Sequence, residues 1–307
     1  MLAVVSTVGR VPASQPRQAR PTIVAANTIL ADMVREVAGT TVNIHCLVPA
    51  GVDIHGFEPK PADVKHLSGC DLVVFNGAGF EPWLQKLLQA SGYKGPRLEA
   101  TRGVALLQRG AGDHVRAQDR GIGDADRAGE TELDPHAWQS AANGIRYVLN
   151  IRDVLVQLVP DARTQIELRT QLYVAQLEAL HSWMRRVLTV IPAGDRRIVT
   201  SHDSFAYLGQ ACGLEILPTR GLDSSQEPDA RQVAALVDEL REKKVRAIFV
   251  EAVSNPKMLE QLARDTGAAI GGELFSDSLG PRDSCADSYL GMLRENTLTI
   301  VDALKGR

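Results

Sequence analysis

Short apolar runs alternate along most of the chain with longer segments of helical periodicity. Runs such as TIVAAN, TVNIHCLV and CDLVVFNG are typical of strands in a parallel sheet covered on both faces. Segments between them, such as TILADMVREVAG and EPWLQKLLQAS, carry apolar residues at steps of three and four. The alternation returns later in the chain with RRIVTSH, LEILPT, VRAIFVEAV and AAIGGELFS. The pattern predicts an α/β protein built from two βα-repeat domains with parallel sheets.

One uninterrupted helical segment separates the two repeats. Residues from Asp161 to Ile191 include no glycine or proline, and their apolar side chains recur at helical spacing. A helix of about 30 residues is roughly 45 Å long at 1.5 Å per residue. Because this exceeds what a crossover between neighbouring strands needs, we predict one long rigid helix joining the two domains.

These patterns divide the chain into four parts. We interpret residues 1–20 as a leader or disordered N-terminus, because the segment is polar and proline-rich and lacks the basic start of a secretion signal. Residues 21–159 form a predicted N-terminal domain. Within it, residues 108–132 have almost no large apolar side chains and are predicted to be a mobile loop. Residues 160–192 are the linking helix, and residues 193–307 the C-terminal domain.

Composition and cysteine spacing exclude several classes of protein. The net charge is −3, so the chain offers no electrostatic footprint for nucleic acid, and we expect no such partner. No apolar run approaches the roughly 20 residues that span a bilayer. The four cysteines form no CxxC pair. A Cys46–Cys70 disulfide is not expected, because Cys46 falls late in the second predicted strand and Cys70 at the start of the third, which are opposite ends of a parallel sheet; the pairing of Cys212 and Cys285 stays open.

Four side chains share a position that suits a binding site. His55, His136, His202 and Asp277 lie in segments that follow predicted strands or begin helices, two in each half of the chain. Ligand sites in open α/β sheets lie beyond the carboxyl ends of the strands. The four residues should therefore meet in the cleft between the domains. Three imidazoles and one carboxylate suit a transition metal, most readily zinc.

Further polar residues near these positions have two interpretations each. A carboxylate beside a ligand histidine can hold its second ring N–H, or it can cap a helix or turn. The candidates are Glu58, Asp134 and Asp203. Other residues in the predicted loop could make transient contacts with arriving metal: Asp113, His114, Asp119, Asp124 and Asp126.

Four segments of the chain resemble a known family. PAGVDIHGFEPKPADV, LDPHAWQS, VTSHDSFAYLGQACGL and ELFSDSLG look like the signature segments of the zinc- and manganese-binding solute-binding proteins of ABC transporters, the cluster A-I group. They occur in the family order, and the similarity runs from about Pro21 to the C-terminus. It is closest to the AztC-type zinc-binding members, because His202 stands where manganese-binding relatives usually carry Glu.

The resemblance implies both a site and a function. It implies that His55, His136, His202 and Asp277 are the metal ligands, and that two βα domains flank a long helix. The expected protein is an extracytoplasmic, periplasmic solute-binding monomer that captures Zn(II), with Mn(II) the less favoured cargo. It would deliver the ion to the permease of an ABC transporter, with a periplasmic zinc metallochaperone as a further partner.

Two departures and three alternatives remain beside this expectation. Zinc-specific members often carry many histidines in the loop where this chain has only His114, and no clear secretion signal is present. A zinc hydrolase is one alternative, although four protein ligands would leave no open position for a reacting water, which favours a protein that is not an enzyme. A manganese-binding relative and an adhesin-type relative are the others.

We predict that the 108–132 loop affects how metal arrives more than how tightly it is held. Deleting most of this loop should leave the equilibrium zinc affinity within about tenfold of wild type, roughly 1.4 kcal/mol. Competition against a chromogenic chelator measures this affinity, and transfer from a donor protein measures the loading rate. A much larger loss of affinity would show that the loop supplies a permanent ligand.

Overall fold

The computed structural model describes residues 20–108, 133–219, 230–252 and 257–305. The loop candidates Asp113, His114, Asp119, Asp124 and Asp126 and nearly all of the predicted leader lie outside these ranges. At the edges of the predicted loop, Gln108 and Leu133 form an isolated antiparallel bridge.

The first half of the chain folds into a four-stranded parallel sheet. The strand order is β2-β1-β3-β4. The strands are β1 (Thr22–Asn27), β2 (Asn43–Val48), β3 (Leu72–Phe75) and β4 (Arg97–Glu99). The helices between them are α1 (Thr28–Ala38), α2 (Pro61–Ser68) and α3 (Leu84–Ser91). We call this unit the first lobe; it includes the next helix, α4 (Ala141–Leu158).

Local sequence signals set the ends of α1. Asn27 is the N-cap, and its side-chain oxygen accepts a hydrogen bond from the Leu30 N–H at 2.9 Å. Gly39 ends the helix with a φ of 60°, a backbone angle that glycine adopts without a Cβ penalty. The helix therefore begins directly at the end of β1 and packs back along the sheet.

The long linking helix is present. It is α5 (Arg163–Leu188), 26 residues, preceded by a 3-10 turn at Pro160–Ala162. It is somewhat shorter than the predicted span, because Pro160–Ala162 form the 3-10 turn and the helix ends at Leu188 with Thr189 as its C-cap. Pro192 also disfavours helical backbone at Ile191. At 1.5 Å per residue the helix is about 39 Å long.

The second half repeats the topology of the first. The strand order is β6-β5-β7-β8, and all pairings are parallel. The strands are β5 (Arg197–Thr200), β6 (Glu215–Pro218), β7 (Ala247–Glu251) and β8 (Ala269–Leu274). The helices are α6 (Ala206–Cys212), α7 (Ala230–Glu242) and α8 (Lys257–Thr266). This second lobe confirms the predicted fold of two parallel-sheet units around a long helix.

A final helix, α9 (Tyr289–Leu304), was not predicted from the sequence pattern. Two polar residues in its middle, Asn296 and Thr297, are buried, so its apolar stripe is interrupted. The helix packs against α1, α5 and β8, and its apolar side chains join the large core that includes α1, α4 and α5. A smaller core, including Val199 and Leu259, lies in the second lobe. The chain's last helix thus ties the second sheet to the first lobe.

Hydrogen bonds join the two lobes at several points. The Trp138 indole N–H donates to the Ser276 carbonyl at 2.9 Å, and the Tyr289 hydroxyl donates to the Trp138 carbonyl at 2.5 Å. The Tyr289 N–H donates to the Asp32 carboxylate on α1 at 2.9 Å. The Tyr207 hydroxyl on α6 donates to the Asp134 carbonyl at 2.7 Å. The lobes are therefore connected by specific buried contacts as well as by α5.

The cysteines and the helices agree with two further expectations. Cys46, Cys70, Cys212 and Cys285 are all free thiols, so no Cys46–Cys70 bond forms. Within the described ranges, no helix combines the length and the apolar character needed to cross a membrane.

We predict that a single methyl group at Gly144 destabilises the contact between α4 and α9. A Cβ there would collide with the Tyr289 ring and hydroxyl, and Tyr289 is fully buried. Overpacking costs about 1–3 kcal/mol, against about 1 kcal/mol gained from helix propensity. Gly144→Ala should therefore lower the free energy of unfolding in urea.

Gly194→Ala is the matched control, because a Cβ at that position meets nothing within 4 Å. Its free energy of unfolding should stay within about 0.5 kcal/mol of wild type. Equal stability of the two variants would contradict the tight packing of Tyr289 on Gly144.

Candidate metal centre

The structure brings the four predicted residues together in the cleft. His55 lies in the loop after β2, and His136 precedes a 3-10 turn at Ala137–Gln139. His202 follows β5, and Asp277 follows β8. One potential ligand atom from each residue lies within 4.8 Å of the other three. Residues more than 200 positions apart in sequence therefore meet at one point.

Asp277 is the centre of this group. Its Oδ2 lies 3.2 Å from His202 Nε2 and 3.7 Å from His55 Nε2, and its Oδ1 lies 3.6 Å from His136 Nε2. A tetrahedral ion with bonds of 2.0–2.1 Å has edges of about 3.3 Å between its ligand atoms. The three separations from Asp277 are near this value, and all four ligand atoms lie within 4.8 Å of one another, which is close to the dimensions of a site for one metal ion.

The atoms that face each other are buried, and no described group outside this set forms a hydrogen bond with them. The side chains of His136, His202 and Asp277 are at most 1% exposed, and that of His55 is 10% exposed. The Nε2 atoms of the three histidines and both Asp277 oxygens lack hydrogen-bond partners. Buried polar atoms are normally paired, because desolvation without a partner costs free energy. Five such atoms at one point are the donor set that a cation would satisfy.

His136 is oriented by Asp134, which lies two residues before it. The Asp134 Oδ1 accepts the His136 backbone N–H at 2.9 Å and lies 2.8 Å from the ring Nδ1. With Nδ1 against this oxygen, Nε2 faces Asp277. This is the geometry that the sequence analysis considered for Asp134.

His202 has a carboxylate behind it that the sequence analysis did not identify. Glu251, the last residue of β7, is buried, and its Oε2 lies 2.6 Å from His202 Nδ1. Its Oε1 accepts the His202 backbone N–H at 3.0 Å. The His202 carbonyl accepts the Thr200 hydroxyl at 2.9 Å, so both backbone groups of His202 are fixed.

A sequence signal for Glu251 did exist. It is an acidic residue at the carboxyl end of an apolar strand, close to the type of position that identified His202 and Asp277. The strand β7 also neighbours β5 in the sheet. Residues at the ends of two adjacent parallel strands are expected to lie side by side.

His55 is held through its backbone and its neighbours. Its N–H donates to Asp53 Oδ1 at 2.9 Å, and the Ile54 carbonyl accepts the Trp83 indole N–H at 2.8 Å. The Gly51 N–H reaches across the cleft to the Ser278 hydroxyl at 3.3 Å. The loop after β2 is thus anchored on both sides of the site.

Asp277 is held by bonds to the residues just before it. Asn296 on α9 accepts the Phe275 N–H at 2.9 Å and donates to the Phe275 carbonyl at 2.8 Å. The Gln139 amide donates to the Ser276 carbonyl at 2.8 Å, beside the Trp138 indole. Side chains from both lobes therefore place this carboxylate.

Aromatic rings shield the site on the side of the first lobe. Phe80 makes edge contacts with His55 and His136, at ring-centroid distances of 5.1 and 5.5 Å. Trp138 packs against His136 at 5.3 Å. The loop bearing Phe80 is fixed by Glu81, whose carboxylate accepts the Asn76 and Gly77 N–H groups at 2.7 and 3.1 Å. Burial raises the pKa of Glu81 to about 7.

The structure does not support either role considered for Glu58. Its side chain is exposed, whereas the four candidate ligands lie in or close to the protein interior. The cap of α2 is formed instead by the Asp63 carboxylate, which accepts the Lys60 N–H at 2.7 Å. Asp203 is half-buried beside His202, but the carboxylate at the His202 ring is that of Glu251.

The pKa values of two candidate histidines, His202 and His55, and of Asp277 shift in opposite directions. Burial alone lowers the pKa of His202, but the charges of Glu251 and Asp277 outweigh it and raise that pKa well above its ordinary value. Burial also opposes ionisation of Asp277, yet the surrounding histidines, His202 first, hold its pKa well below the usual range. The pKa of His55 is raised despite burial, because Asp277 faces its ring.

The fold and this group define a class of protein. Two parallel-sheet lobes with a polar ligand group buried between them are the architecture of a two-lobed substrate-binding protein, and the donor set is that of a metal site. Residues 23–303 match the ZnuA family, described as "Zinc-uptake complex component A periplasmic". The chain belongs to this family of metal-binding substrate-binding proteins of ABC transporters.

Similar proteins carry names for three different metals. The chain is 31% identical over 282 residues to the manganese-binding lipoprotein MntA of Halalkalibacterium halodurans, covering 92% of this chain and 88% of MntA. It is 30% identical to the iron ABC transporter substrate-binding lipoprotein MtsA of Streptococcus pyogenes serotype M1, with 92% and 88% covered. The periplasmic zinc-binding protein TroA of Treponema pallidum superposes with a TM-score of 0.80 at 28% identity, covering 93% and 99%.

The family assignment decides several expectations. The protein is a non-enzymatic binding component of an ABC transporter, so the zinc hydrolase alternative is excluded. The periplasmic description agrees with the predicted extracytoplasmic location. Binding of a metal ion follows from the family, whereas its named relatives differ in the metal. The closer likeness to AztC-type members remains a prediction.

We predict that metal binding releases protons near neutral pH. Because the pKa values of His202 and His55 are raised, these rings are protonated in the metal-free protein below those values. A metal ion needs the neutral imidazole and displaces the proton, so affinity should fall as pH falls and rise through these pKa values. Titration calorimetry at pH 6.5, in buffers of different ionisation enthalpy, measures the proton count.

The His202→Ala variant provides the comparison. It lacks one of the two rings with a raised pKa and should release fewer protons per ion bound. An enthalpy at pH 6.5 that is independent of the buffer in the wild-type protein would contradict the protonated state of the metal-free site.

Proposed function

We propose that this protein captures Zn(II) with His55, His136, His202 and Asp277 and delivers it to the permease of an ABC importer. The observation that carries the proposal is the convergence of three Nε2 atoms and two carboxylate oxygens, all buried and without hydrogen-bond partners. Burying polar atoms without partners costs desolvation free energy, which a mobile or solvated cluster would not lose. An ion that bonds to these atoms removes this cost.

The donor types support zinc as the cargo. Imidazole nitrogen suits zinc, whereas manganese prefers carboxylate and other oxygen ligands. Three nitrogens and one oxygen form a four-coordinate set that zinc readily accepts. Intrinsic affinity at such a site also places zinc above manganese. The name of the relative TroA, a zinc-binding protein with the same fold, agrees with this choice.

Manganese is the second candidate cargo, because MntA, 31% identical to this chain, is named for it. One titration experiment distinguishes the two metals, because a site rich in histidine nitrogen and a site rich in oxygen rank zinc and manganese differently.

Monomeric behaviour and loading from a periplasmic metallochaperone remain part of the proposal. They follow from the resemblance described above.

We predict that His202→Ala weakens zinc binding by at least about tenfold, because one of four bonds to the ion is lost. His202→Glu should weaken zinc less than His202→Ala and should bind manganese better than wild type, since a carboxylate oxygen replaces the nitrogen. Competition titrations with each metal against a chromogenic chelator measure both effects.

His181→Ala is the control variant, because His181 lies on α5 and is not part of the four-residue group. It should bind zinc like the wild type. Should His202→Ala also retain wild-type zinc affinity, His202 is not a ligand and the four-residue site is wrong.

A further inference from the structure

Two of the candidate ligands have a buried carboxylate behind the ring, but the two carboxylates bind in different ways. Asp134 uses a single oxygen, Oδ1, for both the backbone N–H and the ring Nδ1 of His136. Glu251 uses two oxygens: Oε1 accepts the backbone N–H of His202, and Oε2 lies 2.6 Å from the ring Nδ1, an ion-pair distance. This difference determines whether an amide side chain can replace each carboxylate without moving the ring proton of the histidine.

We propose that Glu251 is a positioning residue for metal capture: in the neutral His202 ring that an ion requires, it holds the single ring proton on Nδ1 and leaves the Nε2 lone pair for the ion. The inference rests on the proposed function, since it assumes that His202 is a ligand. Glu251 does not face the other candidate ligands in the way that Asp277 does; it acts through His202.

The geometry supports this role independently of metal. The Glu251 side chain is fully buried, and its carboxylate lies 2.6 Å from Nδ1 on the side of the ring opposite to Nε2. Nε2 in turn lies 3.2 Å from Asp277. The backbone N–H and carbonyl of His202 are both bonded, so the ring is the remaining part whose state can vary. An imidazole with its proton on Nε2 could not bind an ion there.

An isosteric amide tests this role sharply. Glutamine presents one carbonyl and one NH2 group where Glu251 presents two acceptors. The backbone N–H of His202 cannot change, so the carbonyl must accept it, and the NH2 group then faces Nδ1. That ring nitrogen must become an acceptor, which moves the ring proton to Nε2. Glu251→Gln therefore keeps the shape of the site but places a proton where the ion must bind.

Asp134→Asn, at the other carboxylate that contacts a candidate ligand ring, is the comparison variant. Asparagine can keep a carbonyl oxygen at the position of Oδ1, where it still accepts both His136 donors. The two exchanges are chemically the same, yet the structure predicts a larger loss of zinc affinity for Glu251→Gln. Zinc affinity should fall about 10- to 100-fold in Glu251→Gln and less than about tenfold in Asp134→Asn.

A double variant separates positioning from general stabilisation. If Glu251 acts through His202, the Glu251→Gln/His202→Ala protein should bind zinc no more weakly than His202→Ala alone. A merely structural role would add its loss to that of His202→Ala. The visible spectrum of bound Co(II) gives a second readout, because Glu251→Gln should shift it towards the spectrum of His202→Ala. Thermal unfolding of the metal-free proteins checks that each variant is folded.

The outcomes distinguish this inference from the proposed function. Wild-type zinc affinity in His202→Ala would overturn the metal site itself. A weakened His202→Ala together with an unchanged Glu251→Gln, or additive losses in the double variant, would overturn only the positioning role of Glu251. Equal losses in Glu251→Gln and Asp134→Asn would overturn the argument from the two binding modes.

Discussion

The arrangement of the site depends on one interaction, the contact of the buried Asp277 carboxylate with three imidazole rings. The Asp277 side chain is 1% exposed and both oxygens lack hydrogen-bond partners. Removing a carboxylate from water costs several kcal/mol unless opposite charge and hydrogen bonds offset the loss. The protein therefore needs a frame that keeps this group from turning towards solvent. The bonds from Asn296 and Gln139 to the preceding backbone supply that frame.

The same constraint explains why the ligands come from four separate segments. Loops that follow parallel strands can approach one another without breaking any strand pairing, and those after β2, β5 and β8 carry His55, His202 and Asp277. His136 joins them from the segment before the 3-10 turn at Ala137–Gln139. The shared core of α1, α4, α5 and α9 then holds the lobes against each other.

The sequence predicted the parts of this protein that depend on local pattern. The strands, the long helix and the positions of His55, His136, His202 and Asp277 follow from apolar runs and from what succeeds them. The helix α9 was not predicted, because Asn296 and Thr297 interrupt the apolar stripe along its face. The burial of these two residues depends on partners elsewhere in the chain. Glu58 was considered because it is near His55 in sequence, yet the folded chain points it to solvent. The partner of His202 was 49 residues away, at the end of a neighbouring strand.

The hydrogen bonds around residues 275–279 also bear on the route by which a bound ion leaves. Although Asp277 follows the second sheet, its segment is bonded to the first lobe by Trp138, Gln139 and Thr28. Three of the four candidate donors, Asp277 among them, are thus tied to the first lobe, whereas His202 is fixed to β7 through Glu251. Because Asp277 also follows β8, any separation of the second sheet from the first lobe must break the bonds that position Asp277. Opening of the cleft and loss of the position of this carboxylate are therefore coupled.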